Sequence, residues 1–372
     1  MAQFNRVGTR WRRNSCLYLD VRLQRVAPMS LPLLGHDPRE QPDRPRCPTI
    51  DWVPALGCWC VFGPNTISAI LKSNDFAAAD FAEIHRLLEQ RVGIDCSTLI
   101  HIFEHSPNAN EGPRHAKCRA ALARVLFANM DATKQRTAVV VRDLVAAICH
   151  PAVRVDLVQD LIIPVCDAVF VGILGAARPA NSSNDVSASQ IFDLYLGLNR
   201  RRKINEKAEA MLEAYAASET LKTSPDYAVA LSMVGYDSIV GSLGCSLLHV
   251  LQQSEGERLC DLAFPGELPV TGVPYVERFA VRDCSVDGAT IKTGDRVRLY
   301  LDAGGPDDGE ERPYFGKGRH SCIGEELSTW LWRTVAAELS RIPLVCVIES
   351  ATRRKPDWVF TYYSSIVARL DA

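Results

Sequence analysis

The segment PYFGKGRHSCIGEEL, residues 313–327, sets Cys322 among Gly316, Gly318 and Gly324, behind Arg319 and His320 and ahead of a helical pattern. A packed core cysteine needs no such frame, whereas a thiolate that must meet a large flat ligand does. The glycines let the backbone approach closely or take positive φ. The helix opening near Gly324 aims unsatisfied N–H groups and its positive dipole end at the sulfur, which is expected to lower the thiol pKa. Arg319 and His320 add donors for an anion. Together these residues could hold a sulfur anion against an iron porphyrin, with cationic side chains left over for its propionates.

Further residues could join that chemistry. His115 and Arg119 in GPRHAKCR are four apart, so they share a helix face and could reach one carboxylate. Arg278, in RFA ahead of DCSVDGATIKTGD, offers a planar fork suited to a carboxylate. In VGYDS, Gly235 precedes Asp237 and Ser238.

The elements that must position these groups are mostly helical. The segment DYAVALSMVGYDSIVGSLGCSLLHVLQQ, residues 226–253, is apolar nearly all round and predicts a long helix through the middle of the molecule. Gly235, Gly241 and Gly244 inside it imply close approach of another helix or of a ligand. Helices are also expected after Pro64, over 113–127 and 134–150, and in an apolar stretch at 155–175. A charged helix over 199–221 is read as carrying a solvated face. Residues 76–110 read as mixed and loop-rich, and ARPANSSNDVSAS as a polar loop. Strands are expected at CWCVFG, on either side of the Asp287-Gly288 and Thr293-Gly294 turns, and in a C-terminal hairpin.

Composition excludes several classes. The 372 residues are 47% apolar, enough for a sizeable core, and the net charge of −2 gives no general attraction to nucleic acid. The longest apolar stretch is broken by Asp160, Pro164 and Asp167, so it reads as a buried helix and no membrane span is expected. The 13 cysteines are scattered and lack zinc-knuckle spacing, which fits small core residues in a reducing cytoplasm. Residues 1–28 are Arg-rich without clear period and read as a poorly specified extension. Residues 29–372 form the expected single domain.

FGKGRHSCIG, residues 315–324, resembles the haem-ligand loop of the cytochromes P450, with Phe315, Gly316, Gly318, a basic residue, Cys322 and Gly324 at the family spacing. The likeness extends loosely from about residue 50 to the C-terminus. It implies the P450 fold, mostly α with a small β portion and a long central helix over haem b, with Cys322 as the iron ligand. Phe315, Gly316, Gly318, His320, Gly324, His115, Arg119, Arg278 and Gly235 would contact the cofactor, and Asp237 with Ser238 would form an acid–alcohol proton relay. Ser stands where Thr is commoner, so the hydroxyl loses the methyl that restricts its rotamer.

Two family features are missing. No clear Glu-x-x-Arg pair lies on a helix shortly before Arg278: Glu267 is followed by Pro269 and Val270, and Glu255 to Arg258 sits far upstream. The meander before Phe315 is reduced to the acidic DAGGPDDGEERPY, leaving Arg312 as the candidate partner. The resemblance is therefore to an atypical, shortened, bacterial soluble type. It implies a cytoplasmic monooxygenase that inserts one oxygen atom into a small organic substrate, in secondary metabolism, with electrons from an external ferredoxin and its reductase. Lys317, Arg319, Arg333 and Arg341 would face that donor. A peroxide-using or rearranging haem-thiolate enzyme, and a non-catalytic haem or ligand binder of the same fold, are the alternatives.

Overall fold

The computed structural model describes residues 49–179, 188–192, 196–221, 223–301, 312–353, 360 and 363–372. The expected extension at 1–28, the start of the domain near Met29, most of the 177–189 loop and the acidic segment 302–311 lie outside them.

The chain opens with a hairpin, β1 (Ile50–Val53) and β2 (Cys58–Val61). Pro64 in the first turn starts α1 (Pro64–Lys72), which is followed by β3 (Phe76–Ala77). The region expected to be loop-rich holds two helices, α2 (Phe81–Val92) and α3 (Ser97–Glu104). Asp80 caps α2 by accepting from the Glu83 amide, and Gly93 closes it at φ 69°. Helices α4 (Gly112–Ala128) and α5 (Met130–Ile148) stand where periodicity places them.

The apolar stretch at 155–175 is not one regular helix. It begins as β4 (Arg154–Asp156), winds through a π-helical turn at Leu157–Ile162 and then becomes α6 (Ile163–Leu174). Asp156 accepts from the Val158 and Gln159 amides, and Pro164 lies in the first turn of α6. Next come α7 (Leu198–Ala216) and α8 (Pro225–Gln253). On α7 the face read as solvated buries Arg201, whose guanidinium meets the Leu196 carbonyl and His85.

The long helix α8 takes the central place expected of it, touching α3, α4, α6 and α7 and the two C-terminal strands. Both Leu157–Leu174 and α8 are long and apolar enough to cross a membrane. Their windows are 61% and 67% buried inside the protein, so core packing accounts for the apolarity.

The β portion is small. Strands β5 (Tyr275–Ala280) and β8 (Arg296–Tyr300) complete a five-stranded sheet in the order β1-β2-β8-β5-β3. Between them β6 (Cys284–Val286) and β7 (Ala289–Ile291) form a hairpin turning at Asp287 (φ 47°) and Gly288 (φ 81°). Helix α9 (Glu325–Leu339) follows the cysteine loop, and β9 (Val345–Arg353) pairs with β10 (Tyr363–Asp371), which also pairs with β4.

The glycines of α8 have different causes. The 272 segment lies so close to the helix that a Cβ on Gly272 would stand 2.4 Å from the Gly241 carbonyl carbon. A Cβ on Gly244 would make only ordinary contacts, at 3.8 Å from Ile162. Gly272→Ala is therefore expected to destabilise the protein by about 1–3 kcal/mol through overpacking against backbone. Gly244→Ala should be neutral or gain up to about 1 kcal/mol from helix propensity. Urea unfolding of the two variants checks this, and equal losses in both would contradict the packing assignment.

Candidate functional site

The cysteine loop is shaped by two glycines at positive φ. Gly316 (φ 68°) and Gly318 (φ 71°) turn the chain, and a Cβ on Gly318 would come within 2.8 Å of the Leu71 carbonyl at the end of α1. The Cys322 amide donates to the Phe315 carbonyl at 2.7 Å, closing the loop on itself. The Gly324 amide points back at the Cys322 sulfur at 3.3 Å, just ahead of α9. Phe315 packs against the main core.

Among the described cysteines Cys322 alone is exposed, and the rest are buried or half-buried, as expected of small core residues. The thiol pKa nevertheless lies above its ordinary value, not below it. Desolvation is the largest cause; the Gly324 amide opposes it, Glu325 raises the pKa further, and Arg119 and the Glu325 amide lower it. Cys322 is exposed as a residue, yet desolvation by its neighbours still dominates the thiol. The expected lowering by the helix end is present but outweighed.

The predicted donors collect beside this loop, with altered partners. Arg119 follows His115 by one turn of α4. Its guanidinium donates to the Ser321 carbonyl at 2.6 Å and reaches Ser321 Oγ at 3.4 Å, fixing the residue before Cys322. The His115 ring packs on the His320 ring with centroids 4.3 Å apart. Burial, with His320 next, pushes the His115 pKa down to about 4, so the ring is neutral at pH 7. Its Nε2 is buried without a partner. Arg278 donates to the Glu277 carbonyl at 2.8 Å, and desolvation pulls its pKa down to about 10. Arg278 and His320 line one cavity of about 180 Å³ together with Phe81, Phe192 and Val273.

Glu111 organises these groups and has no counterpart in the sequence reading. One of its carboxylate oxygens accepts from Arg319 Nε at 2.8 Å, and the other faces His320 Nε2 at 3.0 Å and the Ala78 amide at 2.8 Å. Arg319 also donates to the Ser73 and Phe76 carbonyls. The Glu111 partners lie 208 and 209 positions away in the chain, and no local spacing records such a contact.

On α8 the Ser238 hydroxyl donates to the Gly235 carbonyl at 2.8 Å, and Asp237 is half-buried. A Cβ on Gly235 would lie 3.3 Å from the Phe170 ring, so helix packing accounts for that glycine.

The segment ahead of Arg278 is held by loop contacts. Between Gln253 and Tyr275 the described chain contains only a short 3-10 turn at Leu259–Asp261, and no helix. Glu255 and Glu267 are exposed, and Arg258 pairs with Asp261 at 2.7 Å on the surface. Backbone carbonyls take over as acceptors. Trp332 and Arg333 on α9 donate to the Pro265 and Gly266 carbonyls at 2.9 and 2.6 Å. Arg312 donates to the Tyr314 hydroxyl, which donates to the Pro269 carbonyl, each at 2.8 Å. On the other flank Ser246 and Ser242 on α8 bond Val270 and Gly272. Arg319, Arg333 and Arg341 thus all have partners within the chain, Arg341 on Glu338.

The residues present fit an anionic, flat, metal-bearing group. The exposed Cys322 has an amide behind its sulfur, the buried His115 nitrogen lacks a partner, and Arg278 supplies a desolvated cation.

No family model matches the chain. Over 177 residues it is 29% identical to cytochrome P450 165B3 of Amycolatopsis orientalis, covering 40% of this chain and 44% of that protein. Over 248 residues it is 23% identical to cytochrome P450 CYP105Q4 of Mycobacterium marinum, covering 56% and 59%. The matches thus span about half the length of these curated relatives. The fold is similar to that of HmtT, involved in himastatin biosynthesis, with TM-score 0.66, 19% identity and coverage of 90% of this chain and 97% of that one. It is also similar to P450BioI, solved with a fatty-acid-ligated acyl carrier protein, with TM-score 0.65, 17% identity and coverage of 84% and 92%. The architecture is that of the cytochromes P450.

Glu111 offers a direct check on the site's electrostatics. Its bonds to His320, Arg319 and the Ala78 amide outweigh burial and hold its pKa at about 2, against an ordinary 4.5. A depressed acid contributes stability that is present above its unfolded pKa and lost as pH falls through the folded one. Glu111→Gln is therefore expected to cost about 1–3 kcal/mol at pH 7. In urea unfolding, that gap from the unsubstituted protein should narrow between pH 4.5 and about 2. A gap that stays constant over this range would contradict the assignment.

Proposed function

We propose that this chain, a member of the cytochrome P450 family, is a haem-thiolate oxidoreductase that inserts one oxygen atom into a small organic molecule. The observation that carries the reading is the exposed Cys322, backed by the Gly324 amide, with the buried Nε2 of His115 unpartnered beside the loop. Bound haem b would supply an iron centre able to activate oxygen, with the thiolate's electron donation favouring O–O cleavage.

Each residue then has a physical task. Cys322 would hold the iron through its sulfur, where the metal's charge would take the place of the proton that desolvation favours. Arg119 holds the loop through Ser321, so the sulfur stays aimed. Arg278, His115 and His320 would hold the propionates. His115 donates as a neutral ring and Arg278 as a cation. Ser238 Oγ gives its hydrogen to the Gly235 carbonyl and so offers lone pairs to a water. Asp237 beside it is the acid that would replace protons passed along that water. Phe81, Phe103 and Phe192 form a cluster of ring contacts at 5.2 to 5.7 Å, which suits an apolar substrate and excludes water.

A second reading gains support from the proximal side. Arg319, Arg333 and Arg341, expected to meet a ferredoxin, have partners within the chain, so a peroxide-using or rearranging haem-thiolate enzyme, needing no donor protein, is the alternative. The 165B3 and CYP105Q4 relatives leave the substrate open.

The reduced, haem-loaded protein with carbon monoxide is expected to show the strongly red-shifted Soret band of thiolate ligation, and Cys322→Ala to abolish it; a histidine-type spectrum would count against the proposal. Arg278→Ala should speed haem transfer to apomyoglobin about tenfold, as for a lost charge-assisted hydrogen bond. Asp237→Asn should slow oxygen-dependent turnover about 100-fold while haem is retained. An unchanged rate would remove Asp237 from the relay.

A further inference from the structure

His101 and His105 lie one helical turn apart at the C-terminal end of α3, and Asp226 lies in the first turn of α8. We propose that these three side chains form a zinc site that clips the end of α3 to the start of the long helix. One ligand atom from each lies within 4.8 Å of the other two, and His101 Nε2 is already 2.8 Å from Asp226 Oδ1. Bonds of roughly 2.0–2.2 Å to a tetrahedral zinc set neighbouring ligand atoms about 3–3.5 Å apart. Small rotations of partly exposed side chains close that difference.

An ion pair between His101 and Asp226 would account for two of the three groups but not for the third. His105 is oriented as a ligand would be. Its Nδ1 lies 2.8 Å from the His101 carbonyl, which can only accept, so Nδ1 carries the proton and Nε2 keeps its lone pair. Its ring also rests edge-on against Tyr227, with centroids 5.3 Å apart. The remaining oxygen of Asp226 is held by the Ser224 hydroxyl at 3.0 Å. Outer-shell bonds of this kind fix tautomer and aim in protein metal sites.

Two imidazoles and one carboxylate suit a borderline divalent ion. Zinc fits best, since it has no geometric demand of its own and accepts water at the remaining solvent-facing position. Magnesium prefers an all-oxygen shell and should not compete. The site lies apart from the cysteine loop, and its test does not depend on haem chemistry.

Equilibrium dialysis of the protein as purified against zinc chloride, followed by metal analysis, tests this. The unsubstituted chain should bind one equivalent that His105→Ala and Asp226→Asn each weaken at least tenfold. Zinc should also raise the thermal midpoint of the unsubstituted chain and leave those of the two variants unmoved. Scattered thiols that capture zinc would bind it equally in all three proteins. Equal binding, or no stoichiometric binding, would overturn the proposal.

Discussion

A thiol taken out of bulk water keeps its proton unless positive charge replaces it. Desolvation dominates at Cys322 and lifts its pKa, and the helix end that should favour the anion offers the Gly324 amide at 3.3 Å and the Glu325 amide against that burial. A loop built for nucleophilic thiol chemistry would lower the pKa by itself. This loop instead leaves Cys322 exposed and its thiol pKa raised, which suits the proposed binding of an ion that brings its own charge. The proposed haem role fits that constraint, because a metal carried in an anionic macrocycle would need donors at its edge, and the buried Nε2 of His115 has no partner.

Rigidity comes from contacts between parts of the chain that are distant in sequence. Glu111 ties Arg319 and His320 to the amide of Ala78, and Gly318 sits against the end of α1. Arg119 reaches across to Ser321. The loop is therefore held from three elements at once. Carbonyls of residues 265–270 take bonds from Trp332, Arg333 and Tyr314, in the stretch where the resemblance calls for a Glu-x-x-Arg helix that the sequence lacks. A carbonyl dipole is a weaker acceptor than a carboxylate, so this side is held by several neutral bonds instead of one charged lock.

Legibility in the sequence divided along the range of the interactions. The cysteine loop was readable because its glycines, cations and helix start occupy ten adjacent positions. The central helix was readable because an element apolar on every face must be buried. Helices α2 and α3 were missed, although Asp80 with Glu83 and the closing Gly93 mark the bounds of α2. The buried Arg201 was read as solvated because charge patterning does not reveal that His85 and the Leu196 carbonyl await it. Gly241 was correctly read as a point of close approach, but its neighbour, Gly272, is 31 positions on. Glu111 left no local signal at all. The π-turn at Leu157–Ile162 was hidden because its apolar residues satisfy a regular helix equally well.

X-ray absorption at the iron edge of the haem-loaded protein tests the central claim most directly, since it counts the atoms bonded to the metal. One sulfur scatterer should be present, and it should vanish in Cys322→Ala while the porphyrin nitrogens remain. A first shell of nitrogen and oxygen alone, or a sulfur that survives the substitution, would contradict the account.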